Sequence, residues 1–208
     1  MPLQGHFKGV ITLGILGSGS GSNFQAILDA IDAGSLQARV ALVLSDNPQG
    51  SILERAQKRG IPTGIIDCGG FRTKFPEDAQ MTTATALQEA GVELVCLAGF
   101  MRLVKKPLLE AFPARILNIH PSLLPAFPGV AAWKQALAAK AEKTGCTVHL
   151  VDEGTDTGPT LGQAEVPIHL TDDDATLHKR IQEEEHRLYP EVIARYAEAL
   201  PPLPSSRG

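Results

Sequence analysis

Cysteine is sparse in this chain: Cys68, Cys96 and Cys146 are the only three, widely spaced and with no C-x-x-C among them. An odd count without paired spacing argues against both a disulfide scaffold and a zinc site. Cys96 lies in an apolar run and reads as a buried thiol. No apolar run reaches the ~18 residues of a membrane-spanning helix, and Met1–Lys8 carries no apolar leader core. The formal net charge is -4, so there is no basic excess to expect nonspecific nucleic-acid binding. No nucleic-acid or membrane partner is therefore expected, and the expected compartment is the cytoplasm. No repeat or linker divides the 208 residues, which suffice for one domain with a sizeable core. Apolar residues make up 43% and charged residues 20%, as in ordinary globular proteins.

Short apolar runs alternate with amphipathic stretches. Strands are expected at Val10–Leu16, Val40–Leu44, Thr63–Ile66, Leu94–Ala98 and Arg115–Ile119, with a late pair at Gly145–Val151 and Thr160–Val166. Helices are expected at Asn23–Ala33, Ile52–Arg59 (capped by Gly60), Asp78–Ala90, Pro107–Ala111 and Trp133–Lys140, and over Thr176–Leu200 with an interruption near Pro190. The tail 201–208 is Pro/Ser-rich and expected to fray. This alternation implies an α/β fold: a Rossmann-like, mostly parallel sheet with helices on both faces, in a single domain over 1–208. Ligands of such sheets bind beyond the carboxyl ends of the strands. Three polar clusters fall there: Gly17–Asn23, Ser45–Asn47 and Asn118–Ser122.

The first cluster, Gly17-Ser18-Gly19-Ser20-Gly21-Ser22-Asn23, joins strand to helix, where free N–H groups and the helix dipole favour an anion. Ser22 and Asn23 are also good N-cap residues, which would give the cluster a purely structural role. A dinucleotide fingerprint needs G-x-G-x-x-G, but Ser22 stands where the third Gly belongs, although Asp46 could pose as the ribose-binding acid. No Walker Lys is present. A single phosphate monoester held by Gly21, Ser22 and Asn23 fits better.

The densest chemistry is Ile116-Leu117-Asn118-Ile119-His120-Pro121-Ser122-Leu123-Leu124-Pro125. Residues two apart on a strand share a face, so Asn118 can donate a hydrogen bond beside a proton-relaying His120. The competing reading is a turn whose Asn and His satisfy local backbone. Downstream, Asp152, Glu153 and Asp156 lie in a Gly/Thr-rich loop that by itself reads as solvated. An acid delivered from it to His120 would orient the imidazole. His149 reads as a satisfied, partly buried histidine, with support of the site residues as its alternative, Glu185 as one more charge on a solvated helix face, and Phe100 and Met101 as core.

Four blocks together resemble the phosphoribosylglycinamide formyltransferase family of the folate-dependent formyltransferase superfamily. They are Gly19-Ser20-Gly21-Ser22-Asn23, Leu97-Ala98-Gly99-Phe100-Met101-Arg102, Asn118 through Pro125, and Gly145-Cys146-Thr147-Val148-His149 through Asp156-Thr157-Gly158-Pro159. The likeness runs in order from about Val10 to Ala197. It implies transfer of a formyl group from 10-formyltetrahydrofolate, a co-substrate, to the amine of glycinamide ribonucleotide in purine synthesis, with no metal. By resemblance Asn118 and His120 face the oxyanion, with His120 as the acid that Asp156 keeps protonated. Gly21, Ser22 and Asn23 match the phosphate-binding positions, and Pro121 and Glu185 the rest of the ribonucleotide site. Met101, Arg102, Leu103 and Val104 match a strip holding the pterin through backbone groups and an apolar wall, beside Asn118. Arg72 is the candidate for the folate-contacting Arg, and Trp133 stands where relatives commonly carry a His.

Three other functions remain open at the sequence level. Methionyl-tRNA formyltransferase shares the Ser-Leu-Leu-Pro block but adds a C-terminal domain of roughly 100 residues. Formyltetrahydrofolate hydrolase needs no phosphate loop and usually carries an N-terminal regulatory domain. A non-catalytic nucleotide-binding module would explain Gly17–Asn23 and Asp46 but leave Asn118, His120 and Asp156 without a role.

Overall fold

A computed structural model describes residues 9–71 and 73–201. The expectations for Met1–Lys8, for Arg72 and for the tail beyond Pro201 lie outside these residues. Among the described residues the chain forms β1 (Ile11–Leu16), α1 (Ser22–Asp32), β2 (Ala38–Ser45), α2 (Ser51–Lys58), β3 (Thr63–Ile65), α3 (Glu77–Glu89), β4 (Leu94–Leu97), α4 (Lys106–Ala111), β5 (Ile116–His120), α5 (Ala132–Ala138), β6 (Lys143–Leu150), β7 (Thr160–Pro167) and α6 (Asp174–Ala199). The strands make one seven-stranded sheet in the order β3-β2-β1-β4-β5-β6-β7. β1 to β5 run parallel, while β5–β6 and β6–β7 pair antiparallel. The expected late strand pair is thus an antiparallel hairpin that closes one edge of the sheet.

Period-two alternation divides β1, β4 and β5 between two buried clusters. Ile11, Leu13 and Ile15 of β1, Leu94 and Cys96 of β4, and Leu117 and Ile119 of β5 face one cluster, with Phe24 and Ile27 of α1 and Leu177, Ile181, Tyr189 and Ile193 of α6. Leu16, Val95, Leu97 and Ile116 face the other, with Leu87 of α3 and Leu108 of α4. All three cysteines are free and buried, as read for Cys96.

Helix α6 is not interrupted. It runs through Pro190 as one 26-residue helix. A proline in a helix interior costs ~3 kcal/mol. Against that, α6 buries Leu177, Ile181, Leu188, Tyr189, Val192 and Ile193, each contributing about 1.5–3 kcal/mol when fully buried. Packing on both sides of the proline therefore outweighs the local break. A capping box, in which the Asp173 carboxylate accepts from the Thr176 backbone and the Thr176 hydroxyl from the Asp173 backbone, fixes the helix start.

Candidate active site

The strand order reverses between β1 and β4, and the loops beyond their carboxyl ends meet there. The Ser18 N–H donates to the Gly99 carbonyl at 3.1 Å. Gly17 is required at this crossing: a Cβ would stand 2.5 Å from Ile52 Cδ1 and 2.8 Å from the Ala98 carbonyl oxygen. Gly21, at φ 72°, is the N-cap of α1, with no side-chain cap. The expected capping by Ser22 or Asn23 is therefore absent, and the first N–H groups of α1 are not closed off by a side chain. Asn23 instead turns inward, is 9% exposed, and its amide donates to Glu185 Oε2 at 3.0 Å. Its Oδ1 is buried without a partner among the described residues.

Glu185 is 5% exposed, which overturns the solvated reading taken from its Glu183-Glu184-Glu185 run. The face of α6 that carries it packs across α1, a contact that neighbouring charges in sequence cannot reveal. Burial pushes its carboxyl up to about 7, and the Asn23 hydrogen bond acts the other way. The structure therefore joins Gly21, Ser22, Asn23 and Glu185 from two helices remote in sequence. Asp46 is not free to bind a ribose. Its carboxylate accepts from Ser18 Oγ at 2.5 Å and pairs with Arg102 Nε at 2.5 Å.

Asn118 and His120 share a strand face, as period two requires, on the side of the sheet opposite α6. The antiparallel register sets His149 opposite Asn118 and Thr147 opposite His120, so all four side chains project from one face. His120 is 5% exposed. Its Nδ1 lies 3.3 Å from Asp156 Oδ2 and its Nε2 lies 3.0 Å from the Phe127 carbonyl. Both neighbours are oxygen acceptors: the Phe127 carbonyl is hydrogen-bonded to the ring, and the Asp156 carboxylate faces Nδ1. Asp156 is in turn held by the Gly129 N–H, 2.8 Å from Oδ2, and its side chain is 13% exposed. The distal loop delivers this acid into the site and not into solvent.

His149 is 2% exposed and belongs to the site more fully than its sequence reading allowed. Its Nδ1 lies 2.8 Å from the Leu150 carbonyl, to which it donates. Its Nε2, 3.1 Å from Asn118 Nδ2, then accepts from the amide. Burial pushes this ring down, toward the neutral form, against the opposing Leu150 hydrogen bond. The 3.7 Å approach of His149 Nε2 to Asp156 Oδ1 is accordingly not an ion pair. His149 fixes the Asn118 amide; His120 and Asp156 form the acid–imidazole pair.

In the segment after β4, Met101 is 58% and Leu103 40% exposed, whereas Phe100 and Val104 are buried. The core reading holds for Phe100 and fails for Met101, whose side chain lies on the open wall. The Arg102 side chain turns away: besides Asp46 it donates to the Phe71 and Lys74 carbonyls. Pro121 is half-buried at the turn after His120. Trp133 stacks on His178, ring centroids 3.8 Å apart, which gives it a packing partner on α6. No group of three or more metal-ligating side chains occurs among the described residues. No helix among them is long and apolar enough to cross a membrane.

An imidazole beside a fixed amide donor, at the carboxyl ends of the strands where the α1 N-terminus is open, suits group transfer to or from a phosphorylated small molecule. The chain belongs to the formyl transferase family, whose sequence profile matches residues 12–193. The phosphoribosylglycinamide formyltransferase of Bacillus subtilis is 42% identical over 86% of this chain and 91% of its own length. A trifunctional purine biosynthetic protein of Drosophila melanogaster is 45% identical, but the chain spans only 13% of that protein. Glycinamide ribonucleotide transformylase 1 from Symbiobacterium toebii superposes with a TM-score of 0.88 at 47% identity, covering 94% of this chain and 92% of that one. The family and fold expected from the sequence are both borne out, and the family implies a folate-type one-carbon donor.

Proposed function

We propose that the chain transfers the formyl group of 10-formyltetrahydrofolate to the amine of N1-(5-phospho-D-ribosyl)glycinamide in de novo purine synthesis. The observation that carries the reading is His120, buried at the end of β5 between Asp156 and the Phe127 carbonyl and two residues from Asn118. The amine lone pair attacks the formyl carbon, and the carbonyl electron pair moves onto oxygen. Asn118 and His120 donate to that oxyanion, where fixed donors stabilise developing charge without reorganisation. The amine nitrogen loses a proton, the folate nitrogen gains one as its bond to carbon breaks, and His120 serves as the acid in this exchange. In the resting arrangement the ring faces the Phe127 carbonyl and Asp156, so His120 exchanges one of these neighbours for substrate on binding.

Gly21, Ser22 and Asn23 hold the phosphate at the open start of α1. Glu185 takes the ribonucleotide hydroxyls, and Pro121 borders them. The exposed Met101 and Leu103 side chains and the backbone of 101–104 receive the pterin, with Asn118 at the inner end and Arg72 as a further folate contact. The expected setting is cytoplasmic, as a monomer or homodimer, with no nucleic-acid or membrane partner.

The test is tetrahydrofolate release from 10-formyltetrahydrofolate, with and without glycinamide ribonucleotide. Release that requires the ribonucleotide is the expected result. Release without it would make the protein a hydrolase, and none in either case would point to another acceptor.

A further inference from the structure

Ser18 sits at the strand-order reversal, and the Gly21–Asn23 phosphate reading does not use it. Its hydroxyl accepts from the Met101 N–H at 2.9 Å. A backbone N–H can only donate, so the hydroxyl proton is committed to Asp46 Oδ1, 2.5 Å away. The other Asp46 oxygen pairs with Arg102 Nε at 2.5 Å, and the Arg102 guanidinium donates onward to the Phe71 and Lys74 carbonyls. The Asp46 and Arg102 side chains are 6% and 9% exposed, so the pair is shielded from solvent and salt. Asn47 adds a contact from its side-chain amide to the Ser18 carbonyl at 3.0 Å. Segments following β1, β2, β3 and β4 are thereby tied at one point, between the glycine loop and the open Met101–Leu103 wall.

We propose that Ser18, Asp46 and Arg102 are positioning residues that set the 101–104 backbone against the glycine loop, and so determine affinity for the folate-type donor. The inference rests on reading 101–104 as the donor-holding strip. In this proposal Ser18 and Asp46 act through the strip and not by contact with either substrate. Their effect passes through the Met101 N–H and the Arg102 side chain, which tie the strip to the glycine loop, to the end of β2 and to the segment after β3. A lysine at 102 supplies charge to Asp46 but lacks the guanidinium fork needed to reach the two carbonyls as well.

The experiment compares wild type, Ser18→Ala and Arg102→Lys in three measurements: fluorescence titration with tetrahydrofolate, titration with glycinamide ribonucleotide, and thermal unfolding. Both variants are expected to weaken the folate Kd about tenfold, the loss of one well-aligned hydrogen bond. The ribonucleotide Kd is expected to stay within about twofold of wild type. Equal weakening of both ligands would make the cluster a general loop staple and overturn the proposal. So would a lowered Tm with unchanged folate affinity. Should Ser18→Ala fail to fold, Arg102→Lys alone decides. Failure of the formyl-transfer reading would appear separately, as wild type that binds folate but does not transfer its formyl group to the ribonucleotide.

Discussion

His120 faces two acceptors and no donor, and one of them is an anion. Replacing Asp156 by Asn retains an oxygen to accept from Gly129 N–H but removes the charge opposite Nδ1. Asp156→Asn is expected to lower turnover about 10²- to 10³-fold while leaving both substrate affinities near wild type, as measured by steady-state kinetics. Near-normal turnover would remove Asp156 from the mechanism. At this scale the Asn118–His120 pair was legible because period two needs only local sequence. The environment of Asn118 was not, because His149 reaches it through the β5–β6 register, and no residue in either strand announces antiparallel pairing between them. The Phe127 carbonyl was invisible for a simpler reason: a backbone acceptor carries no side-chain signature.

The loop from β1 to α1 depends on a backbone geometry that side chains with a Cβ resist. At φ 72°, an added Cβ at Gly21 would also stand 2.9 Å from Ile52 Cβ. Left-handed backbone costs about 1–2 kcal/mol for a residue with a Cβ, and the loop would shift to relieve the contact. Gly21→Ala is therefore expected to raise the ribonucleotide KM by about tenfold or more with a smaller effect on the folate KM. A ribonucleotide KM equal to wild type would place the phosphate elsewhere. At the far end of the chain, Asp173→Ala removes the acceptor for the Ala175 and Thr176 N–H groups. It is expected to lower Tm by a few degrees without changing kcat, and an unaltered Tm would show that packing alone holds the start of α6. The order of elements was readable from periodicity. The continuity of α6 was not, since Pro190 is a local stop signal and what overrides it is burial against the sheet and α1.

Stability of the whole molecule is coupled to the site through Glu185. Burial raises its carboxyl from the ordinary 4.5 to about 7 in the fold. Below pH 4.5 the carboxyl is protonated in folded and unfolded chains alike and contributes nothing to the difference. Between 4.5 and about 7 the unfolded chain releases the proton while the fold retains it, so stability falls as pH rises. Above about 7 the full cost of a buried charge is present. Glu185→Gln removes the ionisation, and the buried, unpartnered Asn23 Oδ1 can accept from the new amide. The variant should therefore be more stable than wild type at pH 8, with the gap in Tm closing toward pH 5. The His149, His178 and His186 rings, each pushed down by desolvation, are common to both proteins and cancel in the difference. The same substitution is expected to weaken ribonucleotide binding, because an amide offers sugar hydroxyls one neutral acceptor in place of a carboxylate. Wild type would then carry a stability cost at neutral pH that its binding site requires. Parallel Tm curves from pH 5 to 8 would mean that Glu185 ionises in the fold as it does in the unfolded chain, and its place against Asn23 would have to be reassigned.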